Sequence, residues 1–159
     1  GIINVYSEKG KGTTFTIYLP VSEKEVVKEH RVSDRIIRGT GMVLLADDEE
    51  MILDVGRQML TELGYEVLTA DSGKAAIQIY QEHIRQIDLV ILDMIMPEMS
   101  GASVFEHLKQ INPDVKVLLS SGYSINGQAT KILEQGCKGF IQKPFTLRYL
   151  SEKMSEILK

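Results

Sequence analysis

From residue 42 onward the chain switches five times between a short apolar run and a helical spacing of apolar residues, and no other feature constrains its fold as much. Met42, Val43, Leu44, Leu45 and Ala46 form an unbroken apolar run that stops at Asp47, Asp48, Glu49 and Glu50. Such a run, with no polar alternation, predicts a strand covered on both faces, as in a parallel sheet. Met51, Ile52, Val55, Met59, Leu60 and Leu63 then recur at helical spacing as the apolar stripe of a first helix, with Gly64 as its stop.

The alternation repeats along the rest of the chain. A strand is expected over 65–70, a helix over 73–85 with Ala76, Ile79 and Tyr80 turned inward, and a third strand over 89–94. A turn containing Pro97 and Gly101 leads to a helix over 102–110, a strand over 115–120 and a short helix over 128–135. A brief strand over 139–142 precedes a last helix, capped by Thr146 and carrying Leu150, Met154 and Ile157 as its apolar stripe. Strict alternation implies an open α/β sandwich, because right-handed crossovers place the helices on both faces of a parallel sheet. In such sheets a ligand sits beyond the carboxyl ends of the strands, where the strand order reverses.

Those strand ends carry Asp47 and Asp48 after the first strand, Asp93 at the end of the third, Ser121 after the fourth and Lys143 after the fifth. Three carboxylates in one crevice repel one another unless a cation neutralises them, and all-oxygen ligands of this kind suit Mg²⁺. A lysine and a hydroxyl beside them supply a point charge and a donor for phosphate oxygens. Each residue alone has a plain structural reading: acids after a strand commonly start a helix, and Lys143 before Pro144 could belong to an ordinary loop. The convergence of five such residues on one sheet edge is what points to phosphoryl transfer onto a carboxylate.

The same residues resemble a response-regulator receiver domain over residues 39–159. The matching motifs are Leu44-Leu45-Ala46-Asp47-Asp48-Glu49, the run from Leu92 through Pro97 to Gly101, Leu119-Ser120-Ser121-Gly122-Tyr123, and Lys143-Pro144-Phe145. The resemblance implies a doubly wound, flavodoxin-like, five-stranded parallel sheet of strand order 2-1-3-4-5. It implies that Asp93 attacks the phosphorus of a phosphohistidine, while Asp48, Asp93 and the main-chain carbonyl of Ile95 ligate Mg²⁺ and Asp47 supports the metal indirectly. Lys143 would pair with the phosphoryl group, Ser121 and Phe140 would form the switch, and the peptide before Pro144 would be cis. Ser120 stands beside Ser121, but the spacing back from Lys143 and the following glycine favour Ser121 as the switch hydroxyl. The implied partners are a histidine kinase or a histidine phosphotransfer protein, with a homodimer through the output face as a further expectation.

Two rival readings compete with this one. A haloacid-dehalogenase-like phosphatase needs a second Asp two residues after the first, where Ile95 stands. A receiver-like module that works by protein contact alone, without phosphorylation, is opposed by the intact acids and Lys143.

Residues 1–20 alternate as a β-hairpin, with a glycine-containing turn over 8–12, and resemble the closing strands of a sensor histidine kinase ATP-binding domain. A kinase tail before a receiver implies a C-terminal piece of a hybrid histidine kinase, with residues 21–38 as linker and 39–159 as receiver. The rest of the ATP-binding domain being absent, no ATP binding is expected. Gly10-Lys11-Gly12-Thr13 lacks the glycine spacing and following helix of a phosphate loop. His30, His83 and His107 have no partners at ligand spacing and read as surface positions, and the single Cys137 excludes an internal disulfide and suits a cytoplasmic location. A net charge of −4 gives no basic face for nucleic acid, and no apolar stretch approaches the roughly 20 residues that span a bilayer.

Overall fold

The computed structural model describes residues 1–20, 36–123 and 127–159. The expected linker falls mostly on residues 21–35, outside the described residues, as does His30. The hairpin and the α/β region are separate compact units.

In the first unit β1 (Ile2–Glu8) and β2 (Gly12–Tyr18) pair antiparallel, from Ile2 opposite Tyr18 to Glu8 opposite Gly12. The turn puts Gly10 and Gly12 at φ of 84° and 104°, where a residue with a Cβ would be strained. Ile3, Val5, Phe15 and Ile17 share one side of this ribbon and are all exposed. A two-stranded ribbon is marginal on its own in water.

The second unit is built from β3 (Met42–Ala46), α1 (Glu50–Glu62), β4 (Glu66–Ala70), α2 (Gly73–Glu82) and β5 (Ile87–Asp93). It continues through α3 (Gly101–Ile111), β6 (Val117–Ser121), α4 (Gly127–Glu134), β7 (Gly139–Gln142) and α5 (Leu147–Leu158). The five strands pair in parallel in the order β4-β3-β5-β6-β7. Counted within the sheet this is 2-1-3-4-5, the expected flavodoxin-like arrangement, and the order reverses between β3 and β5.

Because successive side chains in a strand point to opposite faces, the sheet divides the core into two layers. Val43, Leu45, Leu89, Ile91, Leu118 and Ile141 lie with Leu53 and Leu60 of α1 and Leu150 and Met154 of α5. Leu44, Val90, Leu92, Val117 and Leu119 lie with residues of α2, α3 and α4, among them Ala76, Phe105 and Ile132. Cys137 sits beneath β7 with its thiol donating to the carbonyl of Val117 at 3.0 Å, and burial pushes that thiol above its ordinary pKa, which keeps it inert.

The structure corrects several boundaries. α2 ends at Glu82 rather than 85, and His83 closes it with its N–H on Ile79. β6 starts at Val117, since Val115 is tied into a turn on Asn112, and it ends at Ser121. Ser121 is thus the last residue of the strand, not a residue beyond it. The largest difference lies in α1: Leu53, Gly56, Leu60 and Leu63 face the sheet, while Met51 and Val55 are 76% and 52% exposed.

Candidate functional site

At the carboxyl edge of the sheet, β3 delivers Asp47, β5 delivers Asp93 and the turn after β7 delivers Lys143. Asp47 and Asp93 are both buried, and Lys143 reaches between them, with Nζ 2.5 Å from Asp47 Oδ2 and 2.6 Å from Asp93 Oδ1. The remaining carboxylate oxygens are engaged by the main chain: Glu49 N–H donates to Asp47 Oδ1 at 3.2 Å, and Ile95 N–H to Asp93 Oδ2 at 2.6 Å. The turn that positions Asp93 depends on Gly101, where an added Cβ would lie 2.3 Å from the Asp93 carbonyl oxygen. The Lys143–Pro144 peptide is cis, as expected.

Burial pushes the Asp93 carboxyl above its ordinary range. The hydrogen bonds from Lys143 and Ile95 oppose that shift, and the neighbouring Asp47 charge adds to it. Burial alone would lower Lys143, but its hydrogen bonds to Asp47 and Asp93 and their two negative charges outweigh it and hold the ammonium above its ordinary range. One cation thus serves two buried carboxylates, so Asp93 remains under-compensated.

Of the three expected carboxylates, Asp47 and Asp93 come together at Lys143. Asp48 is exposed on the rim, and no cluster of three His, Cys, Asp or Glu side chains able to hold a metal forms among the described residues. The cation between the buried acids is Lys143 itself. His107 is exposed with Nδ1 2.7 Å from the Ser103 carbonyl oxygen, and His83 is half-buried at the end of α2.

Ser121 is buried, and its Oγ accepts from Tyr123 N–H at 3.2 Å. Phe140 is half-buried against the layer that contains Leu119, its partner in the β6–β7 pairing. Alternation along β6 puts Ser121 on that same face of the sheet. Ile95 extends its side chain into solvent at 61% exposure.

Two features escaped the sequence reading. Ile52, Val55 and Met59 of α1 join Pro144 and Phe145 around an apolar groove of about 280 Å³ whose rim includes Lys143. Ser120, set aside in favour of Ser121, pairs directly with Asp93 across β5 and β6 and carries a buried hydroxyl with no hydrogen-bond partner.

With this geometry in place, comparison with known proteins defines the class. Residues 43–155 match the response regulator receiver domain family, and the chain belongs to that family. It is 36% identical to Sensor kinase CckA of Brucella abortus over 100% of its own length, but it spans only 18% of that kinase. Among solved structures it is similar to a receiver domain protein from Clostridium thermocellum, at a TM-score of 0.71 and 32% identity, covering 74% of this chain and 94% of that one. It is also similar to a chain of the CheX-CheY-BeF3-Mg complex from Borrelia burgdorferi, at a TM-score of 0.72 and 26% identity, covering 75% of this chain and 90% of the other. This is a receiver domain of two-component signalling. Among the described residues no helix is long and apolar enough to cross a membrane.

Proposed function

We propose that this receiver accepts a phosphoryl group from phosphohistidine onto Asp93. The observation that carries the reading is a buried carboxylate held 2.6 Å from the ammonium of Lys143, which a second buried acid, Asp47, also engages. An Asp93 oxygen attacks phosphorus, the P–O bond forms as the P–N bond breaks, and the imidazole nitrogen leaves with the electron pair and takes up a proton. Lys143 moves its charge onto the equatorial oxygens of the transferred group, where charge accumulates in the transition state.

The oxygen-only donor set of Asp48, Asp93 and the Ile95 carbonyl, with Asp47 behind it, has the chemistry Mg²⁺ prefers. When bound, the ion would neutralise charge on the phosphoryl oxygens. The phosphoryl group then offers new acceptors that draw the Ser121 hydroxyl from Tyr123, freeing space into which Phe140 moves. The apolar groove beside Lys143 gives a phosphodonor, either a histidine kinase or a histidine phosphotransfer protein, a surface to cover while its histidine approaches Asp93. In the whole protein the hairpin would close a kinase ATP-binding domain, placing this receiver in a cytoplasmic hybrid histidine kinase segment.

The test is intact-mass spectrometry after incubation with acetyl phosphate and Mg²⁺, beside a metal-free control and Asp93→Asn. One phosphoryl adduct that requires Mg²⁺, is removed by hydroxylamine and disappears in Asp93→Asn is expected. No adduct under several small donors would instead favour a receiver-like module that acts by contact alone.

A further inference from the structure

Ser120 Oγ is the one buried side-chain oxygen or nitrogen among the described residues with no hydrogen-bond partner. The residue is 3% exposed, so its hydroxyl lies in the interior. Leaving a hydroxyl unpaired in the interior costs free energy, which makes its location informative.

That location is specific. Ser120 is the direct partner of Asp93 in the β5–β6 pairing, and its carbonyl accepts the N–H of Met94 at 3.0 Å. Leu118, two residues earlier, lies in the same layer as Ile91 and Ile141. By alternation Ser120 and Asp93 therefore project to one face of the sheet, the face on which Lys143 reaches Asp93. Neighbouring strands stand about 4.8 Å apart, so the Ser120 side chain stands beside that of Asp93. At rest both Asp93 oxygens are already engaged, one by Lys143 and one by Ile95 N–H.

We infer that Ser120 is a positioning residue for the phosphorylated state, its hydroxyl unpaired at rest and paired with Asp93 once Lys143 turns to the phosphoryl group. The inference rests on Asp93 being the phosphoacceptor. When Lys143 turns to the phosphoryl group, the Asp93 carboxyl accepts one donor fewer. The Ser120 O–H is the adjacent unspent donor. Phosphorylation thereby removes one unsatisfied group from the core, so Ser120 biases the domain toward the phosphorylated form.

The experiment compares wild type, Ser120→Ala and, as a control, Ser151→Ala, whose buried hydroxyl is already paired with the Arg148 carbonyl at 2.7 Å. Thermal unfolding is followed without additions, and affinity for beryllofluoride in the presence of Mg²⁺ is measured by calorimetry. Ser120→Ala is expected to raise the melting temperature of the free domain by about 3 °C and to weaken beryllofluoride binding about ten-fold. Ser151→Ala is expected to lower the melting temperature and leave beryllofluoride binding unchanged. A gain in free-domain stability together with a loss of affinity is what a hydroxyl used only in the bound state produces. If wild type binds beryllofluoride and Ser120→Ala binds it equally, or if Ser120→Ala is less stable than wild type when free, the role of Ser120 is overturned and Asp93 keeps its own. If wild type does not bind beryllofluoride, the phosphoacceptor reading fails and the Ser120 role with it.

Discussion

The main-chain N–H of Lys143 donates to the carbonyl oxygen of Ser121 at 2.7 Å. The backbone that presents the lysine is thereby fastened to the end of the strand that presents the hydroxyl. In the proposed switch the stem of Lys143 and the single rotor of Ser121 would then move over backbone held together at this edge.

Removing the shared cation tests how the buried acids are held. Lys143→Met keeps most of the side-chain volume but leaves Asp47 and Asp93 buried without a counter-charge, a loss of roughly 3 kcal/mol at neutral pH. Denaturant titration should show the deficit shrinking toward acid pH, as protonation relieves the acids. A deficit independent of pH would mean that packing, not charge, is what Lys143 supplies.

The raised pKa of Asp93 makes a signed prediction. With its folded value above its unfolded one, the folded state holds the proton more tightly. Its contribution to stability is therefore greatest below the ordinary aspartate range and is lost as pH rises through the raised folded value. Asp93→Asn cannot titrate, so its stability relative to wild type should climb across that window and level off above it. Parallel pH profiles for the two proteins would refute the assignment.

Gly101 approaches β5 so closely that a methyl group there would lie 2.3 Å from the Asp93 carbonyl oxygen and 2.8 Å from Met94 Cα. Backbone cannot yield as a flexible side chain can. Gly101→Ala should cost about 1–3 kcal/mol and slow acetyl phosphate labelling by displacing Asp93. Chemical denaturation and the labelling time course read the two effects separately.

If the apolar groove receives the donor, docking and chemistry can be separated. Val55 is 52% exposed on its rim and far from burial, so Val55→Glu should fold normally. Transfer from a phosphohistidine protein should fall about ten-fold or more, while labelling by acetyl phosphate stays at the wild-type rate. Equal losses with both donors would place the defect in the site itself.

Most of the sheet was legible in the sequence, because strands covered on both faces announce themselves as unbroken apolar runs, as Leu89–Leu92 and Val43–Ala46 do. Thr146 was legible as a cap, and its Oγ1 accepts from Tyr149 N–H at 3.2 Å. Spacing alone does not select the buried face of α1, because the helix carries two apolar stripes one residue apart. Ile52, Val55 and Met59 compete with Leu53, Gly56 and Leu60, and a glycine does not advertise itself as core. The structure resolves the choice through contact: a Cβ on Gly56 would come within 2.6 Å of Leu45 Cδ2, so the helix packs on the sheet through that gap. Spacing named Asp47, Asp93 and Lys143, but nothing in spacing shows that the lysine lies between the two acids while Asp48 stays outside.

Adjacent residues of β6 look in opposite directions: Ser120 faces the layer of Asp93 and Lys143, Ser121 the layer of Phe140. On the proposed reading, the sheet is a wall between the room where the chemistry happens and the room where its result is felt. Across that wall the shortest wire is a single peptide bond.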